Sequence, residues 1–285
     1  MSSLLNIFLT FFGKLPNKII YFLSDILSFI AYKLLKYRLE IVRVNLKKSF
    51  PNLGPKTLKS IEVAFYKNFC DVLVENLLLH SISKPELQNK MKLINPKVFE
   101  DLNFKNKGVL LVGAHYNNWE WMALSLSTYL NNRLYTVYKP LSNLSVDKIM
   151  KDSRKRFGAN IIPMDSFAKT VIKNKNQASV NLMLVDQSPH KSKLDFFCNF
   201  LNQDTPVYLG PEKLIKSTEL ELYFIEVHRV KRGNYEMKVV PLLHNTLSKF
   251  GDITELHVKH LENLIQMRPQ NWLWTHRRWK HSRKK

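Results

Sequence analysis

The stretch GVLLVGAHYNNWEW, residues 108–121, sets an unbroken apolar run directly before a histidine, two asparagines and a glutamate held between two tryptophans. Gly108 to Ala114 has the length and aliphatic content of a strand buried on both faces. Trp119 to Leu130, WEWMALSLSTYL, carries apolar residues at helical spacing, and Asn117 or Asn118 offers the side-chain oxygen that caps a helix N-terminus. His115 therefore falls on the strand-to-helix turn. On a continuous helix a histidine and a glutamate five residues apart point about 140° away from each other. A turn that folds His115 back over the first helical turn would bring Glu120 to its ring. In an open α/β sheet such a turn stands at the carboxyl end of a strand, where these folds bind ligands.

The same alternation runs to the C-terminus. RLYTVYKP, ANIIPM, ASVNLMLVDQ, LELYFIEVHRV and YEMKVVPLL read as strands, the last two joined by the turn KRGN. Helices are expected to begin near Asn118, Ser145, Asp165 and Pro211, with a final one over Asp252 to Met267. Upstream, TLKSIEVAFYKNFCDVLVENLLLHSIS, residues 57–83, reads as one long amphipathic helix. The pattern predicts an α/β fold: a mostly parallel central sheet flanked by helices, with an antiparallel pair at one side. Without internal repeats or long linkers, residues 37–285 read as a single α/β domain behind an N-terminal hydrophobic segment, residues 1–36.

That segment holds two apolar runs, LLNIFLTFF and IIYFLSDILSFIAYKLL, broken by GKLPNK. It lacks the basic start and small-residue cleavage site of a secretory signal. The second run approaches the length of a short spanning helix, but Asp25 near its middle and Lys33 near its end are costly in hydrocarbon. Phe22, Phe29 and Tyr32 equally suit a helix lying in the membrane interface. A spanning anchor, an interfacial helix and a buried core hairpin all stand open. Lys33, Lys36, Arg38, Arg43, Lys47 and Lys48 follow against the single acid Glu40, a bias that puts the body of the protein on the cytoplasmic side. The whole chain, 44 Lys and Arg against 23 Asp and Glu, carries +21 at pH 7. Such a surplus implies anionic company: a membrane surface, an acidic carrier protein or nucleic acid. Cys70 and Cys198 have neither disulfide-framework nor zinc-ligand spacing, so no metal site is signalled.

GVLLVGAH has the glycine separation of a phosphate-binding loop, but Ala114-His115 stands where Lys-Ser/Thr is needed, and no G-x-S-x-G elbow exists. What remains is a histidine–carboxylate pair without an enzymic nucleophile, which suits activation of a hydroxyl on the substrate. At a strand end, Asp186 is placed to share the crevice and to pair with one of Arg154 and Arg156. Those two guanidiniums are candidates for phosphate contacts on acceptor or donor. Asn118, at the turn itself, is a further candidate for substrate binding.

These residues carry a family resemblance. HYNNWE, residues 115–120, resembles the His-four-residues-acid motif of the glycerolipid acyltransferase superfamily. The chain nearly end to end resembles its bacterial branch, the late acyltransferases of lipid A biosynthesis of the lauroyl/myristoyl type. YRLEIVRVNLKKSFPN (37–52), VYKPLSN (137–143), RKRFG (154–158), LVDQS (184–188), TPVYLGPEKL (205–214) and PQNWLWTHRRWK (269–280) extend it. Asn117 stands where the family usually has glycine, and asparagine tolerates a left-handed turn. Gln187-Ser188 stands where many relatives have a second acid.

The resemblance implies a glycerolipid-acyltransferase-like fold and transfer of a fatty acyl chain from acyl carrier protein or acyl-CoA to a hydroxyl of a lipid A precursor. His115 would be the base and Glu120 its orienter, with no cofactor beyond the thioester co-substrate. It also implies the cytoplasmic face of the bacterial inner membrane as location, with anionic membrane lipids as partners. Another lipid acceptor (a lysophospholipid, glycolipid or amino-acid lipid) and a catalytically inactive basic membrane-binding scaffold are the alternatives. The tail WLWTHRRWKHSRKK interleaves tryptophan with basic residues. No helix-turn-helix, RNP or zinc pattern accompanies it, so it reads as a membrane-facing surface and nucleic acid is not expected as a partner.

Overall fold

The structure is a computed structural model that describes residues 2–100, 107–140, 142–243 and 249–283. Its chain begins with helices α1 (Ser2–Phe12), α2 (Asn17–Phe29), α3 (Leu39–Ser49), α4 (Pro55–Leu77) and α5 (Lys84–Lys90). There follow β1 (Met91–Leu93), β2 (Val109–Gly113), α6 (Trp119–Ser127), β3 (Leu134–Tyr138), α7 (Leu144–Lys155), β4 (Asn160–Pro163), α8 (Met164–Lys173) and β5 (Val180–Leu184). The hairpin β6 (Phe197–Phe200) and β7 (Gln203–Pro206), α9 (Gly210–Thr218), β8 (Glu221–Lys231), β9 (Asn234–Pro241) and α10 (Asp252–Met267) complete it.

All five residues of β2 are buried, as its unbroken apolar run requires, and β2 lies in the middle of a seven-stranded sheet of order β1-β9-β8-β2-β5-β3-β4. Every neighbouring pair is parallel except β8 and β9. Side chains alternate between two cores. Leu110 and Val112 pack with Val171 of α8, Ile215 of α9 and Leu264 of α10; Val109 and Leu111 pack with Trp121, Met122 and Leu124 of α6. The six expected strands and five late helices are present. Short β1 and the β6–β7 hairpin were not anticipated, α6 ends at Ser127 rather than Leu130, and the long helix gives way to a 3₁₀ turn at Leu78–His80.

The N-terminal runs form α1 and α2, with a π turn continuing α2 over Ile30–Leu34. Among the described residues no helix is long and apolar enough to cross a membrane. The polar residues of α2 are tied into the fold. Ser24 donates to Asp71 of α4 at 2.6 Å, Tyr21 to Glu75 at 2.9 Å, and Arg232 of the β8–β9 turn bridges Asp25 and Asp71. Asp25, awkward in hydrocarbon, is thus half of an ion pair on α4's flank. The opposite side of α2 leaves Ile19, Phe22, Leu23, Ile26 and Phe29 exposed. Gly233 in the hairpin turn has φ +72, and a Cβ there would collide with the Tyr21 hydroxyl. Glycine therefore serves both the turn and the close approach of α2.

The tryptophans of the C-terminal tail pack inward instead of forming an interfacial surface, while Arg277 and Lys280 stay exposed. Trp272, Trp274 and Arg278 are buried; Arg278 donates to the Pro206 carbonyl and Trp279 to Thr205, so the tail clamps the β6–β7 hairpin. Lys284 and Lys285 lie outside the described residues.

Candidate active site

Strand register assembles the site. Gly113 of β2 pairs with Leu184 of β5, and the Val185 amide donates to the Gly113 carbonyl at 3.0 Å, so the pairing continues past the strand ends. Two residues beyond each partner stand His115 and Asp186, side by side. His115 Nδ1 lies 2.8 Å from Asp186 Oδ1, and the other Asp186 oxygen accepts the Trp272 indole N–H at 2.9 Å. An ionised carboxylate only accepts, so Nδ1 carries the ring proton and Nε2 presents its lone pair outward. The amide nitrogen of exposed Gln187 sits 3.2 Å from that Nε2, and Trp119 meets the ring edge-on with centroids 5.1 Å apart.

Backbone contacts hold the turn itself. The Leu273 amide donates to the His115 carbonyl at 3.1 Å, and the Asn117 amide to the Asn271 carbonyl at 2.9 Å. Asn117 adopts φ +54, the left-handed conformation anticipated for this position. The stretch PQNWLW thus acts as a strut beneath His115. Tryptophan-basic patterning concealed this role, although the indole N–H of a buried tryptophan regularly requires an acceptor.

Electrostatics follow from the pairing. Burial opposes charge on His115, but the Asp186 carboxylate and its hydrogen bond, reinforced by Glu120, outweigh it and raise the pKa above the ordinary histidine value. Burial pushes the Asp186 carboxyl upward in turn, yet His115 and the Trp272 hydrogen bond hold it below the usual range. Nearby His276 is driven down to about 4 chiefly by burial, and its neutral Nε2 accepts the Ser188 amide at 3.0 Å.

Three expectations about side-chain partners are corrected. Glu120 is not hydrogen-bonded to the His115 ring: from the first turn of α6 it faces the end of α7, and Arg154 donates to both its oxygens, at 2.5 and 2.8 Å. Asp186 pairs with the histidine and not with an arginine. Asn118 is fully buried with both ends of its amide engaged: Oδ1 accepts from the Trp121 amide as the cap of α6, and Nδ2 donates to Glu75 at 2.8 Å. It supports the turn and has no exposed surface to offer a substrate. Arg154 does stand beside the site, through Glu120. Arg156 turns away, donating to the Leu79 carbonyl at 2.7 Å and lying over the Phe157 ring.

Glu75 was not anticipated. Fully buried in α4, it accepts from Asn118, Tyr21 and Tyr235, while its backbone carbonyl accepts the Trp121 indole at 3.0 Å. Burial raises its pKa to about 6 despite those donors. The available signal was two acids, Asp71 and Glu75, one helical turn apart in an otherwise apolar run. Glu75→Leu keeps the volume but strips acceptors from an amide and two phenols, each at a cost of about 1–3 kcal/mol. Thermal unfolding is expected to shift down by several degrees with acyl transfer falling alongside; an unshifted transition would show that the network does not support the α6 cap.

A strand-end histidine held by a buried carboxylate, with no serine or cysteine bonded to its ring among the described residues, suits general-base chemistry of more than one kind. Comparison with known sequences specifies the kind: over residues 1–281 the chain matches the bacterial lipid A biosynthesis acyltransferases, and it belongs to that family. It is 22% identical over 269 residues to the lipid A biosynthesis lauroyltransferase of Escherichia coli (strain K12), covering 94% of this chain and 87% of that one. To the lipid A biosynthesis palmitoleoyltransferase of the same strain it is 20% identical over 281 residues, covering 95% and 91%. The Shigella flexneri lipid A biosynthesis acyltransferase matches to the same extent.

Proposed function

We propose that the protein moves a fatty acyl chain from an acyl thioester, carried by acyl carrier protein or CoA, to a hydroxyl of a lipid A precursor, with His115 as the base. The observation that carries this reading is the β2–β5 register, which sets His115 against Asp186 and leaves Nε2 as an outward acceptor. The acceptor O–H donates to Nε2, displacing the Gln187 amide. As its proton passes to the imidazole, the oxygen attacks the thioester carbon; the C–O bond forms, the C–S bond breaks, and the proton returns to the departing thiolate. Asp186 holds the tautomer and stabilises the imidazolium. The Trp119 and Glu120 amides of the first turn of α6, which the Asn118 cap does not use, are the donors for the thioester oxyanion. Glu120 occupies Nε and Nη2 of Arg154, leaving Nη1 for a phosphate of either substrate. Arg156, fixed on the Leu79 carbonyl, contributes more readily by positioning the end of α7.

The test is transfer of labelled acyl groups from acyl carrier protein and, separately, from CoA to a lipid A precursor and to a lysophospholipid. A new ester on the lipid A precursor is the expected product. Transfer to the lysophospholipid alone would move the acceptor to another lipid class.

The same reading places the protein on the cytoplasmic face of the inner membrane, supported by the +21 charge and the exposed apolar side of α2. Phe22 and Phe29 are 62% and 58% exposed, so converting both to serine costs the fold little. Recovery on anionic vesicles is expected to drop by about tenfold, the loss of two aromatic contacts with lipid. Undiminished recovery would remove α2 from the membrane contact.

A further inference from the structure

A cavity of about 440 Å³ opens between the start of α2, the end of α5 and the β8–β9 turn, apart from the His115 cluster. Its lining includes the cations Lys18, Lys90 and Arg232, the amides of Asn17 and Asn234, the Phe22 ring and one carboxylate, Asp25, which is paired with Arg232. The two buried-side cations differ in what they have to bind. Arg232 is fully engaged by Asp25 and Asp71 and serves as a rigid wall. Lys90 is only 8% exposed, and among the described residues no carboxylate pairs with it. Its ammonium reaches the Asn17 side-chain oxygen at 3.2 Å and lies 5.9 Å from the Trp121 ring. An ammonium has three donors, and with one protein oxygen at hydrogen-bond distance Lys90 keeps donors for an anion in the cavity.

The surroundings say what kind of anion. Lys18 and the amides of Asn17 and Asn234, the latter also donating to the Arg232 carbonyl at 3.2 Å, line the same cavity and add donors that an oxyanion with several acceptor oxygens can use. Phe22 carries this lining into the exposed apolar face that it forms with Ile19, Leu23, Ile26 and Phe29 of α2. A basic hole joined to an apolar strip fits an amphiphile with an anionic head. We propose that this cavity binds the phosphate headgroup of a membrane lipid, with the chains lying along α2. This goes beyond acyl transfer and is decided by binding alone, so the fate of the catalytic reading does not decide it.

The probe is dihexanoyl phosphatidate kept below its micelle concentration, with dihexanoyl phosphatidylcholine and inorganic phosphate as comparisons, titrated calorimetrically into the full chain. Saturable binding of phosphatidate is expected, at least tenfold tighter than either comparison. Lys90→Met keeps the buried stem and removes the charge-assisted bond, weakening phosphatidate by about tenfold or more. Asn17→Asp supplies Lys90 with a carboxylate at an exposed position near a helix N-terminus, where an acid is favourable. That variant should melt at or above the parent's temperature yet lose at least tenfold in affinity, which separates headgroup binding from damage to the fold. Parent-like affinity in folded Asn17→Asp or Lys90→Met overturns the proposal. Inorganic phosphate binding as tightly as phosphatidate overturns the lipid as its source, and equal binding of phosphatidylcholine overturns recognition of the charge.

Discussion

His115→Ala is expected to lower acyl transfer by about 10²–10⁴-fold, the usual worth of a positioned general base, while substrate affinity changes far less. The fold should survive because the turn is held by its backbone: the Leu273 amide still donates to the carbonyl of residue 115, and the Asn117 amide to Asn271. The main structural cost falls on Asp186, buried and left with the Trp272 indole and the backbone amide of residue 115 as its hydrogen-bond donors. Thermal unfolding of the variant therefore belongs beside its kinetics. A folded His115→Ala protein with parental turnover would remove the histidine from the chemistry. In the parent, the raised pKa of His115 has a definite sign in the rate: the base form is depleted below that pKa, so turnover climbs as pH rises through it and then levels.

The fold was legible because its elements have unambiguous periods. The all-buried run of β2, the helical spacing after Asn118 and the glycine turn at KRGN each admit one reading, and together they imply a parallel sheet with helices on both faces. The three-residue β1 escaped because its pairing comes from distant β9; β6 and β7 pair with each other across a tight turn, but they are only four residues each and are held in place by side chains of the distant C-terminal tail. The site was legible in its location and misread in its wiring. Spacing along the chain suggested that His115 and Glu120 interact directly, whereas the contact that orients the ring comes from a strand 71 residues away and depends on β2–β5 register. Register between parallel strands is a tertiary property that a single sequence does not encode locally. Hence Asp186 was recognised as a neighbour of the crevice but assigned to an arginine, and the tail tryptophan bonded to it was taken for surface.

This wiring makes Asp186→Asn the more damaging of the two acid substitutions, with turnover expected to fall by about 10⁴-fold, as when the aspartate of a serine-protease triad is made asparagine. The Trp272 indole donates to one oxygen position of residue 186, so an asparagine there turns its carbonyl to Trp272 and its NH₂ to His115 Nδ1. Nδ1 must then accept, the ring proton moves to Nε2, and the outward nitrogen loses the lone pair that receives the substrate proton. The anion that raises the His115 pKa is lost as well, so the acid limb of the residual activity shifts to lower pH. Glu120→Gln retains an oxygen for Arg154 and leaves the tautomer untouched; it removes a through-space charge that is a smaller cause of the raised His115 pKa than Asp186, for a loss nearer about tenfold. Adding His115→Ala to Asp186→Asn should cost little more than either alone, since both act through one proton transfer. Were Glu120→Gln to fall as far as Asp186→Asn, with its acid limb displaced equally, the orienting role would pass to Glu120, and the Asp186 contact would be a strand-end pairing without catalytic consequence.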